Sequence, residues 1–119
     1  MDIVERFINY TRFDTQSSEE SDQVPSTAKQ LVFAQYLRDE LQREGFSDVE
    51  MDDKGYIYAT LKSNSTKKLP TIGFISHYDT SPDCSGKDVN AHIVKAYQGG
   101  DIELSSGIVT SPSKFPELN

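Results

Sequence analysis

Apolar positions fall into short, separate runs along this chain, and their spacing predicts the elements. Ile3, Val4, Phe7 and Ile8 recur at helical spacing, with Asp2 and Glu5 suited to a first turn, so residues 2–12 read as a short amphipathic helix. Residues 14–26 are polar and acidic without periodicity, which predicts a mobile loop. A stronger helix follows. Thr27 and Gln30 have capping-box spacing after Pro25, Phe33, Leu37 and Leu41 recur every four residues, and Val32 and Tyr36 form a second ridge. Arg43 sits in the last turn and Gly45 is placed to cap the end. Its wide apolar face suits packing on a sheet.

Beyond Gly45 the period changes from helical to alternating. Residues 46–51 and 56–61 predict two strands joined by a turn at Asp52-Asp53-Lys54-Gly55. Ile57, Ala59 and Leu61 would line one face of the second strand, and Tyr56, Tyr58 and Thr60 the other. Residues 71–76 form an apolar run without alternation, the pattern of a strand covered on both faces. The rest reads as loop, with weak elements at 88–97 and 101–104.

Composition narrows the function classes. The chain has 119 residues, and its 35% hydrophobic content is thin for a self-sufficient core. Nineteen acidic against twelve basic residues give a formal charge of −7. No basic stripe is visible, which argues against nucleic acid and against an anionic membrane surface as partners. Lys67-Lys68 is read as a solvated pair. Cys84 is the single cysteine, so no intrachain disulfide can form, in keeping with a reducing compartment. With no export-signal pattern and no long apolar stretch, the expectation is a soluble cytoplasmic chain, and Asn64-Ser65-Thr66 is a chance glycosylation match.

The candidate chemistry lies at the end of the 71–76 run. Side chains two apart on an extended strand share a face, so His77 and Asp79 project together where it opens into a polar loop. A carboxylate beside an imidazole fixes its tautomer, which suits a metal ligand or a general base. Ser76 would face the other way, and no Gly-x-Ser-x-Gly elbow exists, so a serine hydrolase is rejected. Cys84 as a thiol nucleophile is a minor alternative to a packing role. His92 reads as a surface histidine, and Asp52 to Gly55 as a hairpin turn, not a calcium loop. One imidazole and one carboxylate fall short of the three protein ligands a catalytic zinc takes, which points to chain missing downstream.

The run Gly73-Phe74-Ile75-Ser76-His77-Tyr78-Asp79-Thr80, continuing Ser81-Pro82-Asp83-Cys84-Ser85-Gly86-Lys87, resembles the metal-site segment of the dizinc M20 metallopeptidases. The His-x-Asp-Thr core is shared widely among them. The Ser-Pro-Asp-Cys-Ser-Gly continuation is similar to the peptidase T branch, the tripeptide aminopeptidases. Glu5-Arg6-Phe7, Gln23-Val24-Pro25-Ser26-Thr27 and Tyr97-Gln98-Gly99-Gly100-Asp101-Ile102 are similar too, in the right order over nearly the whole chain.

The resemblance implies an α/β fold with helices packed on a mixed sheet. Residues 1–119 would be the N-terminal part of a zinc-peptidase-like catalytic domain, with the rest of that domain and its smaller inserted domain absent. It implies two zinc ions as cofactor, His77 as a zinc ligand, and Asp79 as the catalytic carboxylate that orients it. It implies a small-peptide substrate, with the N-terminal residue of a tripeptide released. The family's bridging aspartate, its glutamate pair, a further acidic ligand and a second histidine ligand have no counterpart here, and the stretch Ser105-Ser106-Gly107 departs from the family pattern. The 119-residue chain alone is therefore expected to be inactive and to bind zinc weakly. A related M20 carboxypeptidase or deacylase, and a non-catalytic binding or structural module, are the competing readings.

Overall fold

A computed structural model describes residues 1–105 and 107–118; Ser106 and Asn119 lie outside the described residues, and with Ser106 the middle of the Ser105-Ser106-Gly107 departure. The order of elements is helix α1 (Ile3–Tyr10), helix α2 (Lys29–Arg43), strands β1 (Ser47–Met51) and β2 (Ile57–Thr60), strands β3 (Ile102–Glu103) and β4 (Val109–Thr110), and a closing 3₁₀ turn at Pro116–Leu118. The architecture is mixed α/β. The expected mixed sheet is not formed: the strands make two separate two-stranded antiparallel sheets, β1–β2 and β3–β4.

The start of α1 and the end of α2 have local causes. Asp2 caps α1 by accepting from the Glu5 N–H at 2.8 Å, while Glu5 accepts from the Asp2 N–H at 3.3 Å, a reciprocal capping box. The apolar stripe of α1 is nevertheless not buried: Ile3, Val4 and Phe7 are all exposed, and no element among the described residues covers that side. α2 ends in a Schellman motif. Gly45 takes φ 84°, its N–H reaches the Gln42 carbonyl at 3.1 Å, and the Phe46 N–H reaches the Leu41 carbonyl at 3.1 Å. The start of α2 differs from expectation. Ala28 is the N-cap and no side chain caps it; Thr27 instead gives its hydroxyl to the Gln16 carbonyl at 2.8 Å. A tertiary partner has taken the group that the local capping pattern assigned to the helix.

The core is small and aromatic. Phe33 and Ala34 of α2 are its buried apolar residues, and Phe33 meets Tyr10, Phe13, Tyr36 and Tyr78 at ring separations of 4.8 to 6.2 Å. Val32, predicted as part of a second ridge, points to solvent. Glu40 is buried beside this cluster, accepting from the Tyr10 hydroxyl with the Arg6 guanidinium 3.6 Å away. Burial, then the hydrogen bond to Glu40, raises the Tyr10 phenol well above its ordinary value.

The β1–β2 hairpin packs on α2. Its turn is closed by Asp52, whose carboxylate accepts from the Lys54 and Tyr56 N–H groups at 3.0 and 2.8 Å. A register shift between Ser47 and Glu50, with Asp48 at φ 51°, marks a bulge in β1. On β2 only Ile57 turns partly inward; Ala59 and Leu61, expected on the same face, are exposed.

Residues 71–76 do not form the predicted covered strand. They lie outside every strand, and Phe74 and Ile75 are 94% and 101% exposed. A strand is defined by neighbours that exchange backbone hydrogen bonds with it, and among the described residues none pairs with this run. The molecule is correspondingly extended: its radius of gyration is 18.3 Å, against about 13.5 Å for a compact domain of this length.

Candidate active site

The structure brings His77 and Asp79 together. His77 Nδ1 lies 3.0 Å from Asp79 Oδ1, with the two side chains 83% and 49% exposed. An ionised carboxylate can only accept, so the contact takes a hydrogen on Nδ1, and in the neutral imidazole this leaves the lone pair on Nε2.

Alternation along the backbone explains this placement even without a paired strand. Tyr78, between the two, points the opposite way and is drawn into the core. Its ring packs edge-on to Phe33 with centroids 5.9 Å apart, and its hydroxyl donates to the Gly55 carbonyl at 3.0 Å. Burial raises the Tyr78 phenol, and the charges of Asp79 and Asp52 raise it further. Anchoring the middle residue inward turns both flanking side chains outward on one side.

The segment after Asp79 is fixed as well. Thr80 gives its N–H to the Thr15 carbonyl at 3.1 Å and accepts from the Ser17 N–H at 2.9 Å, a parallel bridge to Gln16. The first part of the acidic loop, read from sequence as mobile, is thus held in place, and Thr15 is only 3% exposed. Lys29 forks onto both oxygens of Asp14 at 2.9 Å. That contact holds the Asp14 carboxyl below its ordinary range, outweighing the opposing effect of desolvation. A polar cleft of about 490 Å³ opens beside this bridge, lined in part by Gln16, Ser17, Thr27, Lys29 and Asp83.

Sequence reasoning missed Tyr78, Thr15 and Gln16. Tyr78 could have been found, since a residue between two outward-facing neighbours must face inward. Nothing local marks Thr15 or Gln16 as part of this arrangement, since the groups that tie them to it, on Thr80 and Pro82, are more than sixty residues away in sequence. The minor candidates stay apart from any such arrangement: Cys84 is exposed, and His92 is exposed with Nδ1 3.5 Å from the Asn90 carbonyl. Among the described residues no group of three or more His, Cys, Asp or Glu side chains could hold a metal ion. His77 and Asp79 fit one ligand of a metal centre and its orienting carboxylate, and no more than that. No helix among the described residues is long and apolar enough to cross a membrane.

The chain is α/β with a tethered, outward-facing imidazole–carboxylate pair, and comparison with known proteins places its relatives among the peptidases. Those relatives are peptidase T. The chain is 55% identical to peptidase T of Clostridium botulinum strain 657 over 119 residues, and 54% identical to that of strain Hall. It is 52% identical over 118 residues to peptidase T of Caldanaerobacter subterraneus subsp. tengcongensis. In each case the match covers 98% of this chain and 29% of the relative, so the chain is homologous to peptidase T along its length and spans under a third of those proteins. No protein-family model matches the chain.

Proposed function

We propose that the chain supplies the His–Asp portion of a zinc-dependent aminopeptidase that releases the N-terminal residue of tripeptides in the cytoplasm. The observation that carries this reading is the 3.0 Å His77–Asp79 pairing, exposed and anchored from behind, in a chain 55% identical to a peptidase T. Asp79 accepts from the Nδ1 hydrogen of His77, which fixes the tautomer and leaves Nε2 to hold zinc. Bound zinc polarises a carbonyl and lowers the pKa of water in such sites. Tyr78 and Thr80 prevent the pair from swinging away, one from the core side and the other from the loop side. The further ligands and the general base come from polypeptide corresponding to the part of peptidase T that this chain does not span. The 119 residues alone carry too few donors to complete a catalytic zinc site, and on this reading they are inactive.

A chimera tests it: this chain followed by the remainder of the Clostridium botulinum strain 657 relative. Tripeptide hydrolysis should appear, vanish with a chelator and return with zinc. Asp79→Ala should lower kcat/KM by roughly 10–100-fold, as loss of an orienting partner does, and His77→Ala should lower it further. Activity that survives the chelator, or full activity in the His77→Ala chimera, would falsify the assignment.

A further inference from the structure

We propose that Gln16 is a positioning residue for the His77–Asp79 pair, acting through Thr80 and Pro82. The inference rests on the reading that this pair is the working part of the site. Asp79 is followed at once by Thr80, whose backbone is gripped on both sides by the chain around Gln16: the Thr15 carbonyl takes its N–H, and the Ser17 N–H and hydroxyl, both at 2.9 Å, meet its carbonyl. Gln16 then adds a second hold two residues on, its Nε2 donating to the Pro82 carbonyl at 2.9 Å.

Every polar group of Gln16 is engaged. Its N–H donates to Asp14 Oδ1 at 3.1 Å and its carbonyl accepts from the Thr27 hydroxyl at 2.8 Å. Its Oε1 lies 3.4 Å from Lys29 Nζ, the ammonium already paired with Asp14. Gln16 therefore connects the loop beyond Asp79 to the N-terminal end of α2, the most buried element of the molecule. Space around the join is tight as well, since a Cβ on Gly86 would come within 3.1 Å of Asp14 Oδ1 and 3.3 Å of Thr80 Oγ1. A single hold at Thr80 would leave a hinge at Ser81; holds at Thr80 and Pro82 fix the direction of the chain. A reacting constellation must be held to within about 0.5 Å, and the outward pair has no packing of its own to do this.

The test uses Gln16→Met in the 119-residue chain, which keeps length and volume and removes the donor. Two measurements are made by NMR at a fixed pH where imidazole is neutral. Amide exchange at Thr80 should quicken by up to about tenfold, the equivalent of one net hydrogen bond. The ¹⁵N pattern of the His77 ring should lose roughly half or more of its Nδ1–H form, moving toward the pattern of Asp79→Ala, while the α2 amides stay unchanged. If Gln16→Met does not fold, Gln16→Glu replaces it, with a carboxylate that cannot donate to the Pro82 carbonyl. Faster Thr80 exchange with an unchanged His77 pattern would show a clasp without positioning and overturn the inference, as would unchanged Thr80 exchange. Zinc titration of the unaltered chain, followed at the His77 ring, separates the two ideas. An unmoved ring removes the metal reading and leaves the tautomer result intact.

Discussion

Gly55 lies at φ 86° directly under the Tyr78 phenol, and a Cβ there would come within 2.5 Å of the hydroxyl oxygen. Gly55→Ala therefore meets both a left-handed backbone and a steric conflict, and should cost more than the roughly 1–2 kcal/mol of the backbone term alone. Tyr78→Phe removes only the hydrogen bond to the Gly55 carbonyl and should cost about 1 kcal/mol. Urea unfolding of the two variants checks both the order and the size. Asp14 gives a pH prediction. Its carboxyl is lowered from 3.8, so its contribution to stability is fully present above that value and is lost as pH falls through the lower folded value. Asp14→Asn should flatten that acid limb of the stability curve, leaving its slope near neutral pH unchanged. A persistent limb in Asp14→Asn would assign it to other carboxylates.

At the scale of elements, neighbours on one helix separate sharply. Phe33 and Val32 are adjacent on α2, and both belonged to apolar ridges in the sequence pattern, yet only Phe33 is enclosed by the aromatic cluster. Phe33→Ala should cost about 3 kcal/mol, whereas Val32→Ala should change stability by less than about 0.5 kcal/mol. Equal losses would mean that the exposed side of α2 is covered in solution. The contrast also shows what helical periodicity can and cannot tell. It identified α2 and its C-terminal Gly45, because both follow from backbone geometry within a few residues. It could not rank Val32 against Phe33, since that depends on which ring approaches from α1.

For the molecule as a whole, the governing feature is the exposed run from Thr71 to Ser76. Phe74 and Ile75 stand in solvent, and among the described residues no strand pairs with the backbone of this run, which leaves it open to edge-to-edge association. The 119-residue chain should self-associate with rising concentration in sedimentation velocity, and a Phe74→Lys, Ile75→Lys double variant should suppress it. A strictly monomeric parent chain would show that this run is screened in some other way. Supplied with polypeptide corresponding to the rest of peptidase T, the same run should gain amide protection as its backbone groups find partners.

Local chemistry in the sequence determined the capped start of α1, the Schellman end of α2, the hairpin turn at Asp52 to Gly55 and the common face of His77 and Asp79. Each of these is settled by backbone geometry over two to six residues. Tertiary structure alone decided the rest. It diverted Thr27 from capping to Gln16, drew Tyr78 inward, fixed the Thr15–Ser17 stretch against Thr80, and left residues 71–76 bare. Those outcomes depend on which distant group arrives to accept a hydrogen bond or cover a ring, and no pattern within a short window carries that information.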